Sequence, residues 1–375
     1  MRMAKDQFQA VSFVKEFRQA RGWSQDQLAD RIGVRRQAIY DIESGRYLPN
    51  TAVALRLARQ FRCRVEDLFK EEETPGDASI QMVHDHWTAH SRICVANIRG
   101  RLVGFALDGR RALADGLRAA DGLLSADGRH VELFSSSSDI DQTALLMGCD
   151  PAFEILSAHV ARQAAQARVL CRFASSSLAL KKLAAGQTHI AGTHLHNTDS
   201  KGESNVSRAA ELLAGTHGKV VGYSLLEEGL IVARGNPLGI HSVADLCGPH
   251  LRFVNRERGA ALRMLLDDQL RQEGIAVADI HGYDRIAYTH IESAQIVAMG
   301  LADAGLGFRI IARAFDLDFV PMAVVRSDLV IPRDLLDHPT VQRVMETLQT
   351  AALKRELSAL PGYDPSPLGH IIAEV

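Results

Sequence analysis

Apolar residues recur at helical spacing through the first 70 positions. Phe13, Val14 and Phe17 predict a first helix, and the hydroxyl of Ser24 is a suitable N-cap for a second helix that ends at Gly33. The segments "RRQAIYDIES", "TAVALRLARQF" and "RVEDLF" predict three further helices. The pattern therefore indicates a small all-α domain.

The predicted third helix has two different faces. Ala38, Ile39 and Ile42 share the apolar face. The polar face carries Arg35, Arg36, Gln37, Tyr40 and Asp41. These side chains are therefore expected to point away from the core.

The pattern changes between residues 71 and 140. "KEEETPGDAS" (70–79) combines a charge run with a Pro–Gly pair and is typical of a linker. "RICVANIRGRLVGFALDG" (92–109) predicts a β-hairpin, and "ALADGLRAADGLL" (112–124) predicts a short helix. We therefore expect a linker and a β-rich connecting segment over residues 71–140.

From residue 141 the chain alternates predicted strands with predicted helices. "ARVLCRF", "THIAGTHL" and "LRFVN" are β-rich runs, and each is followed by a turn and an amphipathic segment. This order favours parallel βαβ units covered by helices. The fold expected for the whole chain is multidomain: an all-α head over residues 1–70, then an α/β domain over residues 141–375.

Charge separates the head from the rest of the chain. Residues 1–70 contain 14 Lys and Arg against 8 Asp and Glu, whereas the remainder contains 29 against 37. A basic head on an acidic body suggests that the head binds a polyanion. Five scattered cysteines without a CxxC pair argue against a disulfide framework or zinc finger, and favour a reducing cytoplasm.

Several classes of function lack their sequence signature. The start of the chain is too charged for a signal peptide, and no apolar run of about 18 residues predicts a membrane span. GxGxxG, Walker A, GxSxG and HExxH motifs are also missing. The prediction is therefore a protein that is neither an enzyme nor bound to a membrane, and that carries no cofactor.

The segment "RGWSQDQLADRIGVRRQAIYDIESGRYLP" resembles the five-helix helix-turn-helix of phage-repressor and Cro-type regulators, the XRE family. This resemblance implies that the third helix enters the major groove of an operator, where Arg and Gln can pair with guanine and adenine. It also implies phosphate contacts at the start of the second helix and after the third. The predicted DNA-binding residues are Gln25, Arg35, Arg36, Gln37, Tyr40, Asp41, Ser44 and Arg46.

Residues 141–355 resemble type II periplasmic binding proteins, and in particular the molybdate-binding-protein-like domain that is fused to helix-turn-helix regulators. The matching segments are "GCDPAFEIL", "SSLALKKLAAGQTHIAGTHL", "NRERGAALRMLLD" and "HIESAQIVAMGLADAGLGF". The resemblance implies two lobes around a cleft. The ligand-binding residues predicted there are Cys149, Asp150, Ser175, Ser176, Ser177, His194, Arg256, Arg258, Gly259 and His290.

The sequence leaves the ligand open. Serines and Arg–Gly pairs at predicted helix N-termini favour an anionic effector, such as a molybdate-like oxyanion, a molybdenum-cofactor-like pterin or an organic acid. The serines are equally suited to capping helices. His194, His196 and His290, or the "HDHWTAH" histidines, are alternative metal ligands, although scattered surface histidines are the more common case and no metal site is predicted.

The combined interpretation is a cytoplasmic transcription regulator. It binds a double-stranded operator as at least a dimer and senses a small molecule. The alternatives are a ligand-independent repressor that uses the body for dimerisation, and an enzyme built on the body. The enzyme alternative requires a catalytic constellation in the cleft.

Overall fold

The computed structural model describes residues 10–71, 78–83, 87–107, 118–197, 203–213 and 216–375. The chain forms two compact units, residues 1–76 and 77–375. Among the described residues, no helix combines the length and the apolar character needed to cross a bilayer. The multidomain fold predicted from the sequence, a helical head followed by an α/β domain, is confirmed.

Over its described residues, 10–71, the first unit has five helices and one small sheet. Its helices are α1 (Val14–Gln19), α2 (Gln25–Ile32), α3 (Arg36–Glu43), α4 (Thr51–Phe61) and α5 (Val65–Leu68). Strands β1 (Ala10–Ser12) and β2 (Phe69–Glu71) pair antiparallel, so the segments before α1 and after α5 lie side by side. Leu28, Ile39 and Leu57, each fully buried, belong to its core.

Local signals of the sequence explain where these helices begin and end. Ser24 and Gln27 form a capping box, in which the Ser24 hydroxyl accepts from Gln27 N–H and the Gln27 side chain accepts from Ser24 N–H. Gly33 ends α2 with φ of 69°, a left-handed conformation that glycine adopts without strain. Asn50 caps α4 through a single hydrogen bond, which its Oδ1 accepts from Val53 N–H at 3.0 Å.

The second unit begins with a closed five-stranded barrel. Its strands are β3 (Ala78–Met82), β4 (Arg92–Ile98), β5 (Arg101–Ala106), β6 (Gly122–Leu124) and β7 (His130–Leu133), in the order β3-β5-β4-β6-β7. Arg99 and Gly100, both with positive φ, form the two-residue turn of the β4–β5 hairpin. The segment predicted only as β-rich thus closes on itself and fills its interior with a separate apolar cluster.

The predicted short helix over residues 112–124 and the predicted linker over residues 70–79 are not confirmed. Gly122–Leu124 is a strand, so the predicted short helix is wrong there, because pairing with β4 and β7 overrides the local helical pattern. The first half of that segment, residues 108–117, lies outside the described residues, as does most of the predicted linker. His84 and His86 of the "HDHWTAH" segment also lie outside them.

The rest of the second unit is a two-lobed α/β structure. Its elements are α6 (Ser137–Asp141), β8 (Thr143–Gly148), α7 (Phe153–Gln163), β9 (Arg168–Phe173), α8 (Ser176–Ala184), β10 (Ile190–Thr193), α9 (Ser204–Leu212), β11 (Gly218–Val232), β12 (Phe253–Arg256), α10 (Ala261–Gln272), β13 (Ile286–Ala287), α11 (His290–Ala298), β14 (Ala304–Phe308), α12 (Arg309–Ala314), β15 (Asp318–Pro332), α13 (Pro339–Thr347), α14 (Ala351–Ser358), β16 (Tyr363–Asp364) and β17 (Ile371–Glu374). Short 3-10 helices occur at Val243–Cys247, Val277–Asp279 and Arg333–Leu335.

One sheet runs through both lobes in the order β13-β12-β14-β11-β15-β10-β8-β9. Within each lobe the strands are parallel, as the alternation of strands and helices predicts. The long strands β11 and β15 pair antiparallel along their whole length and carry the chain between the lobes. The sheet is therefore mixed, with its antiparallel strands at the centre.

His189 connects the barrel to the first lobe. Its Nδ1 accepts from Leu145 N–H at 3.0 Å, and its Nε2 lies 3.1 Å from the carbonyl oxygen of Asn97 in the barrel. This pairing requires the neutral tautomer with the proton on Nε2. Burial, together with the neighbouring His338, lowers the pKa of His189 to about 3.

We predict that His189 makes the unfolding free energy of this unit depend on pH. The folded pKa lies below the unfolded value of about 6.5, so the unfolded chain binds the extra proton and stability falls as pH drops from 6.5 toward 3. Urea unfolding at pH 6.5 and 4.5 should differ by about 2–3 kcal/mol from this residue. His189→Gln should reduce the difference in unfolding free energy between the two pH values. His250→Gln, at an exposed site, should leave that difference unchanged.

Candidate ligand site and nucleic-acid interface

The third helix of the first unit presents the predicted polar face to solvent. Ile39 and Ile42 are buried against the core, while Arg36, Gln37 and Tyr40 are exposed. Arg35 is exposed at the N-cap position of the helix. The chain thus places Arg and Gln on one accessible face of a short helix that follows a tight turn, as base recognition in a major groove requires.

Several of the predicted DNA contacts have partners within the unit. Gln37 Nε2 donates to Asp41 Oδ1 at 3.0 Å, and the Ser44 hydroxyl donates to the Asp41 carbonyl at 3.2 Å. The Arg46 guanidinium lies 5.6 Å from the centre of the Tyr40 ring. Asp41 therefore orients Gln37, and Tyr40 packs against Arg46, which limits the conformations that these side chains sample before binding.

Gln25 is also held in place. Its Nε2 donates to Glu43 Oε2 at 2.9 Å, and Glu43 accepts two further bonds from Arg18 at 2.6 and 3.0 Å. This network joins α1, α2 and α3 and fixes the start of α2 relative to α3. A phosphate bound at the start of α2 would therefore meet a preformed surface.

The predicted ligand residues of the second unit come from the carboxyl ends of strands in both lobes. Cys149 follows β8, His194 follows β10, Arg256 ends β12, and His290 begins the helix after β13. Because the strands within a lobe are parallel, their carboxyl ends lie at one edge, where ligands of α/β sheets bind. All four side chains are buried and meet in one cluster.

Cys149, His194 and Glu228 form a hydrogen-bonded row. Cys149 Sγ lies 2.7 Å from His194 Nε2, and His194 Nδ1 lies 2.5 Å from Glu228 Oε1. Desolvation opposes a charge on His194, but attraction by Cys149 and Glu228 outweighs it and raises the pKa of His194 well above its usual value. Glu228 therefore favours the uptake of a proton by the His194 ring.

Arg256 and His290 form the second half of the cluster. Arg256 Nη1 lies 2.8 Å from His290 Nδ1, and the guanidinium also donates to Glu257 and to the carbonyl oxygens of Ala287 and Tyr288. Burial, together with the charges of Arg256 and His194, holds the pKa of His290 well below its usual value. A neutral His290 thus accepts from Arg256.

Aromatic rings cover this cluster. The ring centre of Phe308 lies 3.9 Å from that of His290 and 5.4 Å from that of His194. Phe173 lies 5.6 Å from the Arg256 guanidinium. Both lobes therefore contribute flat apolar walls around the polar atoms.

The cluster contains three atoms of metal-binding type. One atom each from Cys149, His194 and His290 lies within 4.8 Å of the other two. Tetrahedral zinc holds a sulfur and a nitrogen about 3.6 Å apart, whereas Cys149 Sγ and His194 Nε2 are 2.7 Å apart. Arg256 also donates a hydrogen bond to the Nδ1 lone pair of His290, and its positive charge would repel a metal cation. The geometry is that of hydrogen bonds rather than coordination.

The structure does not assemble the three-histidine set considered from the sequence. His196 Nε2 lies 2.8 Å from Asp268 Oδ2 and is engaged there. His194 and His290 share the cluster with Cys149 instead.

The remaining predicted ligand residues are placed differently. Ser176 is fully buried, and its hydroxyl accepts from His194 N–H at 3.2 Å, while Ser175 and Ser177 are half-buried at the start of α8. Ser175 stands at the N-cap position but makes no side-chain cap bond. Ser176 therefore helps to position His194.

Arg258 and Gly259 lie on the loop between β12 and α10. Arg258 is exposed, and within the described residues it has no hydrogen-bond or ion-pair partner. Gly259 has a φ of 89°, and an added Cβ would meet nothing within 4 Å, so backbone conformation rather than space favours glycine. The Arg258 guanidinium is thus available to an anion at the carboxyl end of β12.

Asp150 is buried, and both of its carboxylate oxygens accept hydrogen bonds from groups within the protein. Oδ1 accepts from Ala152 N–H at 2.9 Å and from the Tyr363 hydroxyl at 2.6 Å, while Oδ2 accepts from the Ser327 hydroxyl at 2.9 Å. Burial raises its pKa, and the three hydrogen bonds oppose this shift. Its observed contacts are those of a residue that joins β8 to β15 and β16.

A separate cavity of about 580 Å³ lies in the second lobe and shares no residue with the cluster. Its lining includes His241, Arg309, Arg313 and Phe319. Arg309 is paired with Glu227. Pro361, which follows α14, also lines this cavity.

Sequence reasoning missed Glu228, Phe173 and Phe308. The signal for Glu228 was present in "SLLEEGLIV", where a pair of acids interrupts an apolar run. A carboxylate that is fully buried in a strand requires a partner, and His194 is that partner. The two aromatic residues fitted the strand pattern and gave no separate signal.

The chain is similar to known proteins in both units. Residues 157–349 match the model of the PBP superfamily domain, and residues 14–68 match that of the helix-turn-helix. The uncharacterized protein YvgK of Bacillus subtilis is 32% identical over 230 residues, 61% of this chain and 73% of that protein. An uncharacterized HTH-type transcriptional regulator of Archaeoglobus fulgidus is 45% identical over 56 residues, 15% of this chain and 80% of that protein.

Among solved structures, the sulfate-binding protein SubI of Mycobacterium tuberculosis is similar to 60% of this chain over 87% of its own length, with 13% identity and a TM-score of 0.45.

We predict that Asp150 stabilises the fold. Asp150→Ala leaves three buried donors without an acceptor and should lower the unfolding free energy by about 3 kcal/mol in urea denaturation. Asp284→Ala, at an exposed carboxylate, should change it by less than about 0.5 kcal/mol. Full stability of Asp150→Ala would contradict this role.

Proposed function

The chain belongs to the PBP superfamily and carries an N-terminal helix-turn-helix domain, and from this premise we propose that it is a ligand-responsive transcription regulator. The observation that carries the proposal is the meeting of side chains from both lobes in one buried cluster. We further propose that it acts in the cytoplasm.

The first unit is proposed to bind an operator through α3. Arg36, Gln37 and Tyr40 are the base-reading residues of this proposal, with Arg35 and Asp41 beside them. Gln25, Ser44 and Arg46 contact phosphates. One such helix reads one half-site, so we propose at least a homodimer on two half-sites about 34–36 Å apart.

The effector is proposed to act by bridging the two lobes. A ligand changes the population of the closed form only by binding it better than the open form. Contacts to His194 from one lobe and to Arg256 and His290 from the other would exist together only when the lobes are close. The closed form must then alter the spacing or mobility of the paired heads on DNA.

The effector is proposed to be a small anion, with a molybdate-like oxyanion, a molybdenum-cofactor-like pterin or an organic acid as candidates. The exposed guanidinium of Arg258, which has no partner in the described part of the chain, and the N-terminus of α8 support a negative group. Glu228 and the sulfur of Cys149 disfavour a compact anion at the cluster itself. A ligand with an anionic end and a neutral end fits both observations.

We predict that Arg36→Ala and Gln37→Ala each lower operator affinity by about 1–3 kcal/mol and relax base preference, because a bidentate base contact is lost. Footprinting titrations on the operator and on single-base variants measure both effects. The wild-type footprint should cover two half-sites about one helical turn apart.

Arg46→Ala is the control for these two variants. It should weaken binding to all sequences alike and reduce the slope of log affinity against log salt by about one. Unchanged base preference in Arg36→Ala and Gln37→Ala would refute the reading role of α3. A base-selective loss in Arg46→Ala would refute its phosphate contact.

We predict that Arg258→Ala weakens binding of an anionic effector by about 1.5–3 kcal/mol, the range of a charge-assisted hydrogen bond. A thermal-shift screen of oxyanions, organic acids and pterins identifies the effector, and calorimetry measures its affinity. DNA affinity without effector should stay at the wild-type value, while the response to effector should be lost.

Arg355→Ala removes a different exposed guanidinium, on α14, and should leave the effector affinity unchanged. Equal affinities of wild type and Arg258→Ala would contradict the anion site.

A further inference from the structure

Cys149, His194 and Glu228 have the arrangement of a nucleophile, its base and the acid that orients the base. We propose that Cys149 is a nucleophilic modification site, which adds through its sulfur to a small molecule with a conjugated, electron-poor double bond. The inference rests on the proposed function, because the thiol lies in the cleft assigned to the effector. It makes the effector a covalent one.

The geometry of the row supports this assignment. The sulfur lies 2.7 Å from one imidazole nitrogen, and the Glu228 carboxylate lies 2.5 Å from the other. A base within hydrogen-bond reach of the nucleophile, itself oriented by a third group, is the general signature of an activated nucleophile. Glu228 is fully buried in β11 and leaves its other oxygen without a partner, so its observed role is to hold His194.

The charges around the row favour a proton on the imidazole. The charged and titratable groups that interact with Cys149 or His194 are Asp150, Glu228, His290 and Tyr363, and Arg256 lies against His290. Only Glu228 among them contacts His194 as a carboxylate, at the nitrogen away from the sulfur. When His194 takes the thiol proton at Nε2, Glu228 therefore stabilises the resulting imidazolium through Nδ1.

The other four cysteines lack this arrangement. Cys171 donates to the Phe153 carbonyl oxygen at 3.4 Å, and burial raises its pKa well above the usual value. Cys94 lies 4.0 Å from the Ala119 carbonyl oxygen. Within the described residues, no histidine is hydrogen-bonded to Cys63, Cys94, Cys171 or Cys247. Cys171 is thus a matched control thiol on the neighbouring strand.

The walls of the cluster suit a flat, conjugated group. Phe308 meets the His194 ring edge-on at 5.4 Å and lies 3.9 Å from the His290 ring, and Phe173 lies beside Arg256. Polarisable sulfur reacts readily with soft carbon centres, whereas this cluster supplies no second cysteine for a disulfide. A planar, electron-poor alkene therefore matches both the nucleophile and its surroundings.

The step balances without any further reagent. Neutral His194 takes the proton from the Cys149 thiol, and the sulfur forms a bond to the alkene carbon that is remote from the electron-withdrawing group. The π pair moves to the adjacent carbon, which receives the proton back from His194. The product is a thioether that contains every atom of both reactants, and His194 returns to its starting state.

N-ethylmaleimide is the probe for this reaction, since it is a planar conjugated alkene. Full-length protein is treated at pH 6, 7 and 8, and peptide mass spectrometry follows the adduct at each of the five cysteines. We compare wild type with Cys149→Ser, His194→Gln, Glu228→Gln and Cys171→Ser. Circular dichroism confirms that each variant is folded.

In wild type, Cys149 should react at least tenfold faster than Cys171 at pH 7, with a rate that changes little between pH 6 and 8. In His194→Gln its rate should fall at least tenfold and rise with pH, as expected for an unassisted thiol. Glu228→Gln keeps the shape of the side chain and should give an intermediate rate and pH profile. Cys171→Ser should not change the Cys149 rate.

Two outcomes of the labelling experiment, and one of a cobalt titration, would overturn the proposal. One is a wild-type Cys149 that reacts no faster than Cys171, and the other is an unchanged rate in His194→Gln. A cobalt–thiolate absorption band, with Cys149 protected by equimolar Co²⁺, would instead identify a metal site and also refute it. The experiment measures the adduct on the Cys149 sulfur and does not involve DNA. A failure of this proposal is therefore distinguishable from a failure of the effector to alter DNA binding.

Discussion

The antiparallel pairing of the two central strands is the constraint on which the second unit depends. β11 and β15 each have 15 residues and pair from Gly218 with Pro332 to Val232 with Asp318. Each strand begins in one lobe and ends in the other, so the lobes remain parts of one sheet. Register shifts after Gly222 and after Glu228 bend this ribbon between the lobes. Any relative motion of the lobes must be absorbed there.

Strand β11 also supplies Glu228, the buried carboxylate around which the cluster forms. A carboxylate buried at Glu228 is costly unless it is paired, and His194 from the first lobe provides the partner. The imidazole in turn faces Cys149, and the second lobe adds the Arg256 guanidinium, which is paired with Glu257 and donates to a backbone carbonyl. Replacing such a pair with apolar residues often costs little stability, so the demands of folding alone do not account for the cluster.

Sequence reasoning succeeded where the signal was local. Ser24 and Gly33 mark the ends of α2 by hydrogen bonding and backbone conformation within a few residues, and a single sequence contains that information. Barrel closure between β3 and β7 depends on pairing across some 50 positions in the sequence. Only the β4–β5 hairpin, whose strands are adjacent in the chain, could therefore be predicted from the sequence. The His194–Glu228 contact joins residues 34 positions apart. Its existence follows from the mixed sheet, which the strand–helix alternation did not reveal.

A reversible effector and a covalent one place different demands on this fold. To move the lobes from 1% to 99% closed, a reversible ligand must bind the closed form about 10⁴-fold better, roughly 5.5 kcal/mol, and operator binding must then change ligand affinity by the same factor that the ligand changes operator affinity. An adduct on Cys149 removes the dependence on free ligand concentration, because dissociation no longer competes with closure. The response would then persist until the thioether is reversed or the protein is replaced. An anionic contact at Arg258 would still matter in that case, since it would govern which electrophiles remain beside the sulfur long enough to react.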